Sequence, residues 1–119
     1  MKKILLDTNF LLIPSQFKVD IFSEINRIIH ESYQLYIIDK TFDELDHIIH
    51  NQKGKHKEAA KLAKKLIEAH DLNIIQTDTD DHPDNIIASL QDEYLIATQD
   101  IGLKKRIDKP VITLKQKKY

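Results

Sequence analysis

The run Ile4-Leu5-Leu6 is apolar at every position and stops on a carboxylate, Asp7. Thr8 and Asn9 follow, and the chain then turns apolar again. A strand buried on both faces of a parallel sheet reads this way, because helices cover both of its sides. An acid at its end is delivered to the carboxyl edge of the sheet, where open α/β folds place their ligands. Three further acids, Glu44, Asp84 and Asp100, stand at similar junctions later in the chain.

Strand-like and helix-like segments alternate behind that start. Lys3 to Leu6, Leu35 to Ile38, Leu72 to Ile75, Tyr94 to Ala97 and Val111 to Leu114 read as strands. Helical periodicity predicts a helix from Val19 to Glu31, with Ile21, Phe22, Ile25, Ile28 and Ile29 on one face. Asp39 is placed to cap a helix from about Thr41 to His50. Gly54 breaks the pattern before a lysine-rich helix from Lys57 to His70. Pro83 opens a helix through Leu90, as proline suits a first turn. Ile101 to Ile107 forms a last, short helix. The alternation predicts an α/β fold: one domain over residues 1–119, with a mainly parallel five-stranded sheet flanked by helices on both faces. Right-handed crossovers then gather the strand ends, and the helix starts that follow them, on one rim.

Composition narrows the chemistry. The chain has 119 residues and a net charge of −1, so any nucleic-acid contact has to come from local basic patches. It has no cysteine, which removes disulfides, thiolate metal sites and a thiol nucleophile, and fits a cytoplasmic location. Only two glycines are present, too few for a GxGxxG or P-loop phosphate cradle. No apolar run approaches the roughly 20 residues of a membrane span. Asp7 interrupts the first apolar stretch too early for a signal peptide.

Each acid has an ordinary structural explanation. Asp100 can be an N-cap, Asp84 a first-turn acid favoured by the helix dipole, and Glu44 a solvated helix residue. Asp7 resists such an explanation, because a charge directly behind a buried strand needs a partner. The four together also repel: two unit charges about 4 Å apart cost roughly 4 kcal/mol at an effective dielectric of 20. A set of hard oxygen donors without cysteine favours Mg²⁺ or Mn²⁺. His82, close to Asp84, leaves room for a softer metal. A haloacid-dehalogenase-type phosphatase needs a second acid where Asn9 stands, and a receiver domain needs an acidic pair where Asp7 stands alone.

Asp7-Thr8-Asn9, an acid on the second helix, Asp84-Asn85-Ile86-Ile87-Ala88-Ser89-Leu90 and the stretch Ile96 to Ile107 together resemble the PIN-domain ribonucleases, in the branch of archaeal rRNA-processing and VapC-type proteins. The resemblance implies a metal-dependent endoribonuclease. It matches Asp7, Glu44, Asp84 and Asp100 to the family's four acids, and Asn9 and Thr98 to the polar residues that orient them. Relatives often carry a second acid after the third, where this chain has Asn85. The resemblance also suggests a homodimer, and an antitoxin protein as candidate partner if the chain is a toxin. A catalytically quiet RNA-binding assembly factor is the alternative, and a structure-specific DNA nuclease a third reading.

A mechanism follows from the acids. Asp7, Asp84 and Asp100 would hold Mg²⁺ or Mn²⁺, and Glu44 would orient or deprotonate the attacking water. In-line attack would leave a 5′-phosphate and a 3′-hydroxyl. Lys104, Lys105 and Arg106 follow Asp100 directly and are the first choice for gripping RNA phosphates. A second basic cluster is Lys53, Lys55, His56 and Lys57, and a third is Lys115, Lys117 and Lys118. Phe10 and Tyr119 are the candidate stacking surfaces, with Phe10 better placed in the core.

Overall fold

The structure, a computed structural model, describes residues 1–114. Its elements run β1 (Lys2–Leu6), α1 (Thr8–Leu11), α2 (Ile13–Phe17), α3 (Ile21–Ile28), β2 (Tyr33–Ile38), α4 (Lys40–Asn51), α5 (Lys55–Ala69), β3 (Asn73–Ile75), α6 (Pro83–Ser89), β4 (Leu95–Ala97), α7 (Ile101–Lys105) and β5 (Val111–Ile112). The five strands form one sheet in the order β3-β2-β1-β4-β5, with every pairing parallel. This is the expected α/β sheet, covered on both faces.

Side-chain alternation along each strand divides the core in two. Ile4 and Leu6 of β1, Ile37 of β2 and Ala97 of β4 face α1 to α5, together with Phe10, Ile25, Leu45, Ala60 and Ala63. Leu5, Ile38 and Ile96 face the opposite way, onto Ile86 and Ile87 of α6 and Leu103 and Ile107 around α7. The first half of the chain therefore covers one face and the second half the other. The chain reverses direction across the sheet between β1 and β4, and the carboxyl ends of strands at such a switch point are where open α/β folds bind their ligands.

Several local expectations need correction. The segment after Asp7 holds two short helices, α1 and α2, where no element was expected. The apolar run Phe10 to Ile13 has no helical period, so the turn that Pro14 helps to start is hidden. The helix expected from Val19 to Glu31 is shorter: the Asp20 carboxylate caps it through the Phe22 and Ser23 amides, and it ends at Ile28. Asp39 does not cap α4 with its side chain. Its two carboxylate oxygens instead take the Thr77 hydroxyl at 2.5 Å and the Thr77 amide at 3.2 Å, tying the ends of β2 and β3 together. Those bonds, the Thr77 hydroxyl foremost, lower the Asp39 pKa.

Phe10 is fully buried in the larger core cluster, as its preference for the core implied. It also fixes α1 directly behind Asp7. Among the described residues no helix is long and apolar enough to cross a membrane. Phe10→Ala should cost about 3–5 kcal/mol, the usual range for removing a fully buried aromatic. Urea unfolding followed by circular dichroism measures it, and a cost below about 1 kcal/mol would contradict this packing.

Candidate active site

The Asp7 amide donates to the Ala97 carbonyl at 2.9 Å, continuing the β1–β4 ladder to its last rung. Its carbonyl accepts from the Phe10 amide at 3.0 Å and so begins α1. The side chain is left between strand and helix, only 4% exposed. Its Oδ2 accepts one hydrogen bond, 2.8 Å long, from the hydroxyl of Thr98 just past β4. Burial raises the Asp7 pKa from 3.8 to about 6; the Thr98 bond opposes this, while the charges of Asp84 and Glu44 add to it.

Thr98 connects two acids. Its hydroxyl gives its proton to Asp7 and accepts from the Asp100 amide at 3.1 Å. Asp100 is the N-cap of α7, with Oδ1 taking the Leu103 amide at 3.1 Å. A Cβ on Gly102 would sit 3.2 Å from that same oxygen, so the glycine leaves the cap room. The ordinary role expected for Asp100 is real, and its other carboxylate oxygen makes no hydrogen bond among the described residues.

Glu44 lies one turn into α4 and is half-buried. Its Oε1 accepts from the Thr8 hydroxyl at 2.8 Å, and that hydroxyl lies 3.2 Å from the buried Thr41 hydroxyl. Burial raises the Glu44 pKa; the Thr8 bond lowers it, Asp84 pushes it up and His82 holds it down. Asp84 stands in the first turn of α6 and is half-buried. Its amide donates to Nδ1 of His82 at 3.1 Å, so His82 is an imidazole N-cap.

All four acids thus lie on the carboxyl rim. Asp7, Glu44 and Asp84 sense one another's charge, and Thr98 joins Asp100 to Asp7. Among the described residues no group of three acids or histidines is close enough to form a ready-made metal cluster. The donor set nevertheless suits a hard cation. The three ion pairs among the described residues involve none of these acids. Burial and like-charged neighbours raise the pKa of two of the carboxylates, Asp7 and Glu44, and a divalent ion would offset that cost of charging them.

The supporting residues differ from the expectation in one respect. Thr98 contacts Asp7 as expected, but Asn9 is exposed and its side chain makes no hydrogen bond among the described residues. Thr8 reaches Glu44 instead, and its signal was a hydroxyl beside the acid at a helix start. Lys104 is half-buried, and Lys105 and Arg106 are exposed on and after α7. Lys115, Lys117, Lys118 and Tyr119 lie outside the described residues. Asp81 is tied into the loop: its Oδ1 accepts from the His82 amide at 2.8 Å and from Nδ2 of Asn85 at 2.7 Å. Those bonds, the Asn85 one first, lower its pKa. Asn85 is therefore a donor matched to Asp81, a role a second acid could not fill.

Two predictions follow from these contacts. Because the folded Asp7 pKa lies above its unfolded value, folding binds a proton between about pH 4 and pH 6. Stability from this group is present below pH 4 and is lost as pH rises through 6. In a chelating buffer at pH 7.5, Asp7→Asn should be more stable than wild type, by roughly 1–3 kcal/mol. The gain should vanish by pH 4, and thermal melts across that range that show no such convergence would overturn the assignment. Asn85→Asp should lower Tm at neutral pH, and adding Asp81→Asn should recover it; an unrecovered Tm would mean that the pair is not coupled.

The geometry has counterparts among known proteins. The description of a PIN-like domain matches residues 4–117. Ribonuclease VapC4 of Methanocaldococcus jannaschii is 30% identical over 124 residues, spanning 100% of this chain and 95% of that protein. The PIN domain endonuclease Utp24 superposes with a TM-score of 0.73 at 22% identity, over 96% of this chain and 86% of that one. VapBC2 from Rickettsia felis, solved bound to a DNA fragment from its promoter, gives a TM-score of 0.65 at 16% identity, over 94% and 97% of the two chains. At those identities the two structures show the shared fold alone. With its strand order, its rim of acids and a family match over almost its whole length, this chain belongs to the PIN-like domain family.

Proposed function

We propose that this protein is a metal-dependent endoribonuclease that hydrolyses RNA phosphodiester bonds at the carboxyl rim. The observation that carries the reading is the buried Asp7 carboxylate, charge-coupled to Glu44 and Asp84 and without a basic partner among the described residues. The likeness to ribonuclease VapC4 supports RNA as substrate and a toxin-type role with an antitoxin partner. A processing role for rRNA or tRNA uses the same chemistry. A homodimer is part of this proposal.

Asp7, Asp84 and Asp100 would hold Mg²⁺ or Mn²⁺. Such an ion lowers the pKa of a bound water and neutralises charge building on the phosphate. The Thr98 hydroxyl holds Oδ2 of Asp7 and so fixes the orientation of the carboxylate. Glu44 would take the water's proton, and burial raises its pKa above the ordinary carboxylate value, which strengthens it as a base. Thr8 fixes one Glu44 oxygen and leaves its partner for the water. Lys104, Lys105 and Arg106 are positioned after Asp100 to neutralise phosphates of the bound strand.

The test is cleavage of structured RNA and single-stranded DNA in Mg²⁺, Mn²⁺ or EDTA. Asp7→Asn and Asp84→Asn should lower kcat by about 100-fold or more, with folding verified by circular dichroism. Thr98→Val should cost about 10–100-fold, as for partners that orient metal-ligating groups. Tight RNA binding without turnover would instead assign an RNA-binding assembly factor. Preferential cutting of DNA would reassign the substrate.

A further inference from the structure

Helices α4 and α5 form an antiparallel hairpin closed by Gln52, Lys53 and Gly54. Helix α4 leaves from the carboxyl end of β2, where Glu44 is bonded to Thr8. Helix α5 returns to the other end of the sheet, since His70 and Asp71 line a common pocket with Tyr33 and Gln34 at the start of β2. Its 15 residues span about 22 Å, against roughly 17 Å for the rise of β2. The turn between the helices therefore reaches the level of the carboxyl rim or passes it. Gly54 sits at φ +64°, in the region that favours glycine, so the backbone of this tip is set by the residue type.

Charge is concentrated on this hairpin. Residues 53–65 hold six lysines against one glutamate, a local charge of +5 in a chain of net −1. Among the described residues only Lys64 of these is paired, to Asp46 at 2.7 Å. Lys53, Lys55, Lys57, Lys61 and Lys65 have no carboxylate within ion-pair distance among the described residues. Lys53, Lys55, Lys61 and Lys65 are exposed and Lys57 is half-buried, while Ala59, Ala60, Ala63 and Ile67 anchor the opposite side of α5 in the core. The loop behind β3 and the first turn of α6, by contrast, carry Asp78, Asp80, Asp81 and Asp84 within seven residues. A polyanion on the rim is attracted toward the hairpin and repelled from that loop.

We infer that the tip of the α4–α5 hairpin, Lys53, Lys55 and Lys57, is a sequence-independent docking surface for the phosphodiester backbone of the RNA strand. The surface leads the strand onto the rim from the hairpin side. This inference rests on the nuclease reading for its occupant and extends it beyond the acids. Contacts of this kind work through counterion release, which makes binding depend on salt and little on base sequence.

The experiment is fluorescence anisotropy of a single-stranded 20-nucleotide oligouridylate with the intact protein in EDTA, across a potassium chloride series. Lys53→Gln/Lys55→Gln/Lys57→Gln should lower the slope of log Kd against log salt by about 2, near 0.7 per lost phosphate contact. Affinity at low salt should fall at least tenfold. A charge-matched control, Lys2→Gln/Lys3→Gln/Lys109→Gln at the opposite edge of the sheet, should leave the slope unchanged. Equal slope changes in the two triple variants would overturn the inference, as would no RNA binding by the wild type. Polyglutamate that competes with the oligonucleotide at equal charge concentration would also overturn it, and would assign the tip to an acidic protein. Because no turnover occurs in EDTA, failure here is separable from failure of the cleavage assay.

Discussion

A carboxylate closed off from water at the end of a central parallel strand is the constraint on which this structure turns. Asp7 has one side-chain donor, the hydroxyl of Thr98, and that donor lies 91 residues away. The bond exists only if β4 lies beside β1, which the sheet order provides. The Thr98 hydroxyl is used on both sides, as donor to Asp7 and as acceptor for the Asp100 amide. A single rotor thereby sets two acids, and the turn from β4 into α7 is shaped around it. Thr8 does the corresponding work for Glu44 from the other direction. Both hydroxyls are buried, so their proton positions follow from their partners and not from solvent.

The sheet, its parallel pairing and the common rim were legible in the chain, because alternating apolar segments leave few right-handed arrangements. Asp7 was legible for a local reason, as a charge that interrupts a buried run. Helices α1 and α2 were not: Phe10 to Ile13 are apolar without a helical period, and helicity there depends on packing against α4 and α5. Thr8 was passed over for Asn9, since which of two adjacent polar residues turns inward is set by Thr41 and Glu44, more than 30 positions away. Asp39 looked like a cap by position, yet Thr77 offers its side chain a hydroxyl and an amide together. Asn85 looked like a departure until Asp81 stood opposite it.

The acids and the lysines divide the molecule electrostatically although its net charge is close to zero. Burial and like-charge repulsion raise the pKa of Asp7 and of Glu44, and among the described residues no lysine is bonded to either. Five lysines without an ion pair among the described residues, Lys53, Lys55, Lys57, Lys61 and Lys65, gather instead on and just before a helix held in the core by alanines. Small residues on the inner side of α5 let it pack close to α4 and α2 while its outer side stays crowded with one sign of charge. At physiological ionic strength fields fade over about 8 Å, so each region would act on a ligand only at close range.

The distance in sequence between Asp7 and Thr98 also orders events in time. The first strand is made early, but its acid has no side-chain hydroxyl to accept from until β4 has been made and has paired with the open edge of β1. Every earlier chain length leaves β1 with an open edge where β4 will pair. The rim acids therefore come together only once residue 98 is in place, and a shorter chain has no assembled rim.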